Sequence, residues 1–125
     1  MVEKKIKIPG PDHPIAIEPN PGRVRVMLDG VVIADTRDAL TLRESKYGPV
    51  QYIPRQDVRM DLLVRSTHET HCAYKGDASY YSIPMGGERA TDAVWSYENP
   101  YDAVAPIKGR LAFYPDRVDS IVVED

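Results

Sequence analysis

The amino-acid sequence predicts a mainly β domain of short antiparallel strands, with one or two short helices. Three observations carry that expectation. Eleven prolines and eight glycines lie between apolar runs rather than in a repeat, which is the punctuation of many strands joined by turns. The run Arg23-Val24-Arg25-Val26 alternates charge with apolar bulk and continues through Met27-Leu28, as a half-buried strand does. No segment sustains the long helical period that a bundle would need.

Length and composition narrow the class. A chain of 125 residues is expected to form one domain, numbered 1–125. At this size folding buries roughly two-thirds of the unfolded surface, enough for a core without staples. The balance of 42% hydrophobic and 28% charged residues is that of an ordinary globular protein. The net charge of −3 comes from interspersed signs, with no basic block, so no nucleic-acid partner is expected. No run has the length of a membrane helix, so no membrane partner is expected. The start M-V-E-K-K-I-K-I-P-G lacks the apolar core of a signal peptide. A single cysteine excludes an intrachain disulfide framework. A cytoplasmic location follows as an expectation.

Taken in order, residues 1–22 carry five prolines and read as an extended arm or ordered loop. His13 lies in this arm. It is either a surface histidine or a residue that the arm folds over a pocket. Arg23–Leu28, the turn Asp29-Gly30 and Val31–Asp35 form a hairpin, since Gly takes positive φ freely in a type I′ turn. Ala39–Glu44 is a third strand, followed by the loop S-K-Y-G-P-V-Q and Tyr52-Ile53-Pro54. Pro54-Arg55-Gln56-Asp57 has the chemistry of a helix start, which predicts a short helix of about two turns over 55–64. Val58, Met60, Leu62 and Val64 alternate equally well, which leaves a strand open.

The stretch Ser66–Ile83 is the densest in hydrogen-bonding and reactive side chains. Tyr74–Ile83, interrupted at Gly76-Asp77, reads as a strand pair or a bent strand. Gly86-Gly87 is a turn, and Ala93–Tyr97 is a strand on which Trp95 and Tyr97 share a face. Tyr101–Pro106 is an irregular link. Gly109–Tyr114 and Ser120–Val123 close the chain as strands around Pro115-Asp116.

Several groupings carry chemistry. Glu44 and Tyr52 could pair at a pocket mouth, or end as a solvated acid and a packed ring. His68-Glu69-Thr70-His71-Cys72 offers metal-ligand types, but H-x-x-H on a strand points the two histidines apart. A structural zinc site needs four N or S ligands, so no metal is expected. Cys72 is a candidate nucleophile if His71 or Lys75 lowers its pKa, and a small apolar filler otherwise. Lys75-Gly76 could present an ammonium to an anionic group, because Gly permits close backbone approach; the alternative is a solvated Lys beside a turn. Trp95 and Tyr97 are core, or the wall of a pocket for a flat ligand.

These residues recur in a pattern. E-x-x-x-x-P-x-x-Y-I-P (Glu44 to Pro54) resembles the bacterial and fungal family called domain of unknown function 427. So do T-x-C-x-Y-K-G-x-A-x-Y-Y (Thr70 to Tyr81), A-V-W-S-Y-E-x-P (Ala93 to Pro100) and G-x-L-A-F-Y-P-D-R-V-D (Gly109 to Asp119). The likeness runs in order from about Asp12 to Glu124. It departs at Ala73, where the family has Pro. The resemblance implies a β-tent, two antiparallel sheets pinned at one edge and splayed at the other. Similar tents hold a zinc at the pin and bind small molecules in an aromatic-lined groove. The zinc-holding cysteine pairs are absent here. The family is also labelled a nucleotidyltransferase, but this sequence has no Gly-Ser pair followed by D-x-[DE], and Asp57 and Asp61 are four apart. The motif positions are Glu44, Tyr52, His71, Cys72, Lys75, Trp95 and Tyr97, the residues already singled out by chemistry.

The first expectation is a small-molecule-binding domain with Tyr52, Trp95 and Tyr97 as aromatic walls and Lys75 and Glu44 as orienting charges, without a cofactor. The second is an enzyme using Lys75 or Cys72 with Glu44 or His71. The third is a structural module, paired as a homodimer through a sheet edge.

Overall fold

The computed structural model describes residues 6–124. Over these residues the chain is mainly β, in three antiparallel sheets with no closed barrel. The ten strands are β1 (Ile15–Asn20), β2 (Arg23–Leu28), β3 (Val31–Thr36), β4 (Ala39–Glu44), β5 (Val50–Tyr52), β6 (Val64–Cys72), β7 (Gly76–Ser82), β8 (Val94–Ser96), β9 (Ala112–Phe113) and β10 (Ser120–Glu124). Among the described residues no helix is long and apolar enough to cross a membrane.

The predicted hairpin is present as β2–β3. Asp29 and Gly30 take φ of 50° and 76°, the paired positive angles of a type I′ turn. Its sheet has the order β10-β2-β3, with Ile121 opposite Val26. The other two sheets are β1-β4-β5 and β6-β7-β8-β9. They meet where Ile53, just past β5, exchanges backbone hydrogen bonds of 2.8 and 2.9 Å with Leu111, just before β9. Past that bridge the strands run β1-β4-β5-β9-β8-β7-β6.

Alternation along these strands builds two cores. Val94, Phe113, Tyr81 and Ile53 point to one side and pack against Val24, Val26 and Ile33 of the β2–β3 hairpin. Their neighbours Trp95, Ala112, Tyr80 and Tyr52 point to the other side, where they meet Leu42 of β4, Tyr97, Val104 and Ile107. One-residue steps thus send neighbours to different clusters, as a period of two requires. The second cluster holds the candidate site.

Four segments differ from the sequence expectation. Residues 15–20 of the proline-rich arm are the strand β1, paired with β4 from Ile15–Glu44 to Asn20–Ala39. Proline suits an edge strand, where its missing donor leaves no ladder bond unmade. Residues 1–5 of that arm lie outside the described residues. Over 55–64 there is no two-turn helix. Arg55–Asp57 and Met60–Leu62 are single 3-10 turns, separated by an extended Val58 that bridges Ala34 of β3. Val64 then opens β6. The strand pair of the central stretch is β6 with β7, so its first strand runs from Val64 to Cys72 rather than starting at Tyr74. Tyr101–Pro106, expected as an irregular link, lies within a 3-10 segment over Asp102–Ile107.

Candidate functional site

Three loops and strand ends place the polar centre. Glu44 is the last residue of β4, opposite Ile15 of β1. The chain then turns through Ser45, whose amide donates to the Pro14 carbonyl at 2.7 Å. That bond holds His13 beside Glu44. On the facing sheet, Lys75 sits in the turn between β6 and β7. Gly76 follows it with φ of 108°, a conformation that L side chains rarely adopt. The Lys75 carbonyl accepts from the Tyr101 amide at 3.1 Å. With its backbone tied outward, the Lys75 side chain runs inward and the residue is only 8% exposed.

The side chains meet as a three-membered cluster. The Lys75 ammonium donates to Glu44 Oε1 in an ion pair. His13 Nε2 lies 2.7 Å from Glu44 Oε2. The His13 ring stacks on Tyr74, with centroids 3.9 Å apart and planes 8° from parallel. Burial alone would raise the Glu44 carboxyl, but hydrogen bonds from Lys75 and His13 outweigh it and hold the group below the usual carboxylate range. Lys75 Nζ also stands 5.9 Å from the centre of the Tyr97 ring, within reach of a cation–π attraction.

Aromatic rings complete the walls. Trp95 Nε1–H donates to the Tyr52 hydroxyl at 3.2 Å. The two rings meet edge to face, 6.4 Å apart at 90°. Trp95 also lies 4.5 Å from Tyr114. Between these groups is a chamber of about 180 Å³, lined by Glu44, Tyr52, Lys75, Trp95 and Tyr97 together with Tyr80 and Tyr114. Burial drives the Tyr52 and Tyr97 hydroxyls well above the ordinary tyrosine range. Burial, then the interaction with Tyr80, pushes Tyr114 up to about 12. All three therefore remain protonated donors at neutral pH.

The sequence as a whole supports a family assignment. The model of one family, described as a domain of unknown function (DUF427) and labelled NTP_transf_9, matches residues 16–124. The chain belongs to the DUF427 family. Among curated proteins none matches it.

The DUF427 chain brings together five of the residues singled out from sequence: Glu44, Tyr52, Lys75, Trp95 and Tyr97. Two others lie apart from them. His71 is on the surface, with Nδ1 2.7 Å from Asp77 Oδ1 and its ring edge-on to Tyr101. Cys72 is half-buried against the second core cluster and does not line the chamber. His68 rests on the Tyr80 ring at 4.5 Å, turned away from His71. Among the described residues no group of three or more His, Cys, Asp and Glu is placed to hold a metal ion. Asp57 accepts from the Thr36 hydroxyl at 2.7 Å and Asp61 pairs with Arg59 at 2.8 Å, so these two acids of the DUF427 domain face separate partners.

Sequence reasoning missed Tyr47, Tyr80 and Tyr114, which also border the chamber. Tyr80 was legible in principle, since alternation along Ala78–Ser82 puts it on the face of Ala78. Tyr114 lies just past the two-residue strand β9, where no pattern marks its direction.

Proposed function

We propose that this DUF427 domain binds a small organic molecule in the chamber between β4–β5 and β7–β8. Trp95, Tyr52 and Tyr97 form the walls, and Lys75 and Glu44 orient the ligand. The observation that carries this reading is the Tyr97 hydroxyl. The residue is 6% exposed and lines the chamber, yet its hydroxyl has no hydrogen-bond partner among the described residues. That hydroxyl is not one of the fully buried unpaired atoms, so it opens to the chamber with its donor and acceptor capacity available to a guest. The surrounding design, aromatic walls with a few convergent polar groups, is the usual one for small-molecule sites.

The test uses the single tryptophan of the chain. Its indole N–H gives one resonance in a proton–nitrogen NMR spectrum, and that resonance reports directly on the chamber wall. A fragment panel with neutral, anionic and cationic members is screened at millimolar concentration. The expected result is that at least one charge class shifts the Trp95 indole signal and that Tyr97→Phe weakens the response. If no compound of any class moves that signal, the binding reading fails.

A further inference from the structure

We propose that the ligand is an uncharged carbonyl compound whose apolar body passes Trp95 into a second chamber, an inference that rests on the binding reading above. The second chamber has a volume of about 350 Å³ and opens between the sheets, where Val26 and Val123 face Ile53 and Phe113. Gly48, Val50 and Trp95 border both chambers. The two spaces therefore abut along one wall. The smaller alone falls short of the roughly 300–1,000 Å³ of ordinary small-molecule sites, and the pair falls within it.

The polar end defines the head group. The charges of Lys75 and Glu44 cancel within their ion pair, and both Glu44 oxygens are engaged, one by Lys75 and one by His13. A charged head would enter without a counter-ion, and burying an unpaired charge is costly. Donors outnumber acceptors in the free hydrogen-bonding capacity. The Tyr52 oxygen already accepts from Trp95, so its own hydrogen is the group left to give. The Tyr97 hydroxyl has no partner among the described residues, and an ammonium has three donors of which Glu44 takes one. A neutral acceptor fits these donors, and a carbonyl oxygen is the simplest. Trp95, on the wall the two chambers share, meets Tyr52 edge to face and favours a flat body.

The experiment titrates the intact protein with three probes of one skeleton, 4-phenylbutan-2-one, 3-phenylpropanoate and 3-phenylpropylammonium, following the Trp95 indole signal. The ketone is expected to bind at least about tenfold more tightly than either ion, because neither ion finds a free counter-charge. Tyr97→Phe, which removes only the hydroxyl, should weaken the ketone by about threefold to tenfold. Lengthening the ketone by one methylene should tighten binding by about fourfold in the wild type. Val123→Phe, at a half-exposed position bordering the apolar chamber, should abolish that gain. Equal or tighter binding of either ion, or indifference to chain length, overturns the proposal while leaving the site itself standing. Silence toward these three probes, with a response to another class in the fragment panel, overturns it as well. Silence toward every compound takes the binding reading with it.

Discussion

Replacing Lys75 by methionine removes one half of a shielded ion pair and keeps the side chain's length. The Lys75 and Glu44 side chains are 10% and 14% exposed. Removing one partner from such a pair leaves the other charge uncompensated, which costs about 3–5 kcal/mol. That is a large share of the roughly 5–15 kcal/mol that holds a domain of this kind folded. With a urea slope near 2 kcal/mol/M, the unfolding midpoint should fall by about 2 M. Glu44→Gln should cost a similar amount for the mirror reason. The double variant Glu44→Gln/Lys75→Met should cost less than the sum, since no charge is then stranded. The pH dependence carries the sign. The folded Glu44 carboxyl is held below its ordinary value, so its contribution is fully present above the unfolded carboxylate pKa of about 4.3 and is lost as pH falls through the folded value. The gap between wild type and Lys75→Met should therefore be widest near neutrality and close in acid, while carboxylates common to both proteins cancel in the difference. Urea melts followed by circular dichroism at several pH values supply the measurement. Costs below about 1 kcal/mol for both single variants, unchanged with pH, would place the pair in the class of screened surface bridges and refute the reasoning.

Other perturbations separate the parts of the fold. Gly22→Ala would set a Cβ 1.9 Å from the Glu124 carbonyl oxygen. Backbone has little room to give, so this should cost at least about 1–3 kcal/mol and loosen β10, read as faster amide exchange over 120–124 with β6–β7 unaffected. Tyr52→Phe deletes the acceptor of the Trp95 indole. Loss of the partner of this partly buried donor should cost about 1 kcal/mol, measurable by thermal melting with a shift of the indole NMR signal. In alkali, the tyrosines with raised values confer stability that is complete below the unfolded pKa of about 10 and lost above it. Absorbance at the tyrosinate band should show Tyr52, Tyr97 and Tyr114 ionising only with unfolding.

The β2–β3 hairpin was legible because its turn demands positive φ and Asp-Gly supplies it at the end of an alternating run. β4 was legible for the same reason, through Leu40 and Leu42. β1 was hidden because five prolines argue against regular structure, and the argument fails at an edge, where ladder bonds on one side are not required. The 55–64 segment was ambiguous because Val58, Met60, Leu62 and Val64 satisfy a period of two while Pro54 and Asp57 satisfy a helix start. The chain answers both, with two turns around an extended residue. Glu44, Tyr52, Lys75, Trp95 and Tyr97 were identified as residue types suited to a pocket. Their convergence depends on pairings of strands distant in sequence, such as Ile53 with Leu111, which no local pattern encodes. His71 and Cys72 were chosen for their ligand and nucleophile chemistry and their place in the motif around Lys75. The positive φ of Gly76 turns the backbone between them and their strand partners, so neighbours in sequence part company in space.

The ion pair and the tyrosine hydroxyl differ in what they can prove. Glu44 belongs to the β1-β4-β5 sheet, and Lys75 lies in the turn of the sheet that contains β6 and β7. Their bond joins those sheets at a second point beyond the Ile53–Leu111 bridge. His13 adds the segment before β1 to the same knot. A strut of this kind has a structural purpose whether or not anything enters the chamber, so loss of stability in Lys75→Met says nothing about a ligand. A buried pair also gives little net stability over a well-packed apolar one, which leaves its presence without a purely energetic reason. The Tyr97 hydroxyl is different. Its ring packs in the second core cluster, so phenylalanine would fill the same space. Only the oxygen is unexplained by folding. A variant that removes that oxygen, leaves the melt unchanged and weakens a ligand would separate binding from architecture in one step, and Tyr97→Phe is the substitution able to do so.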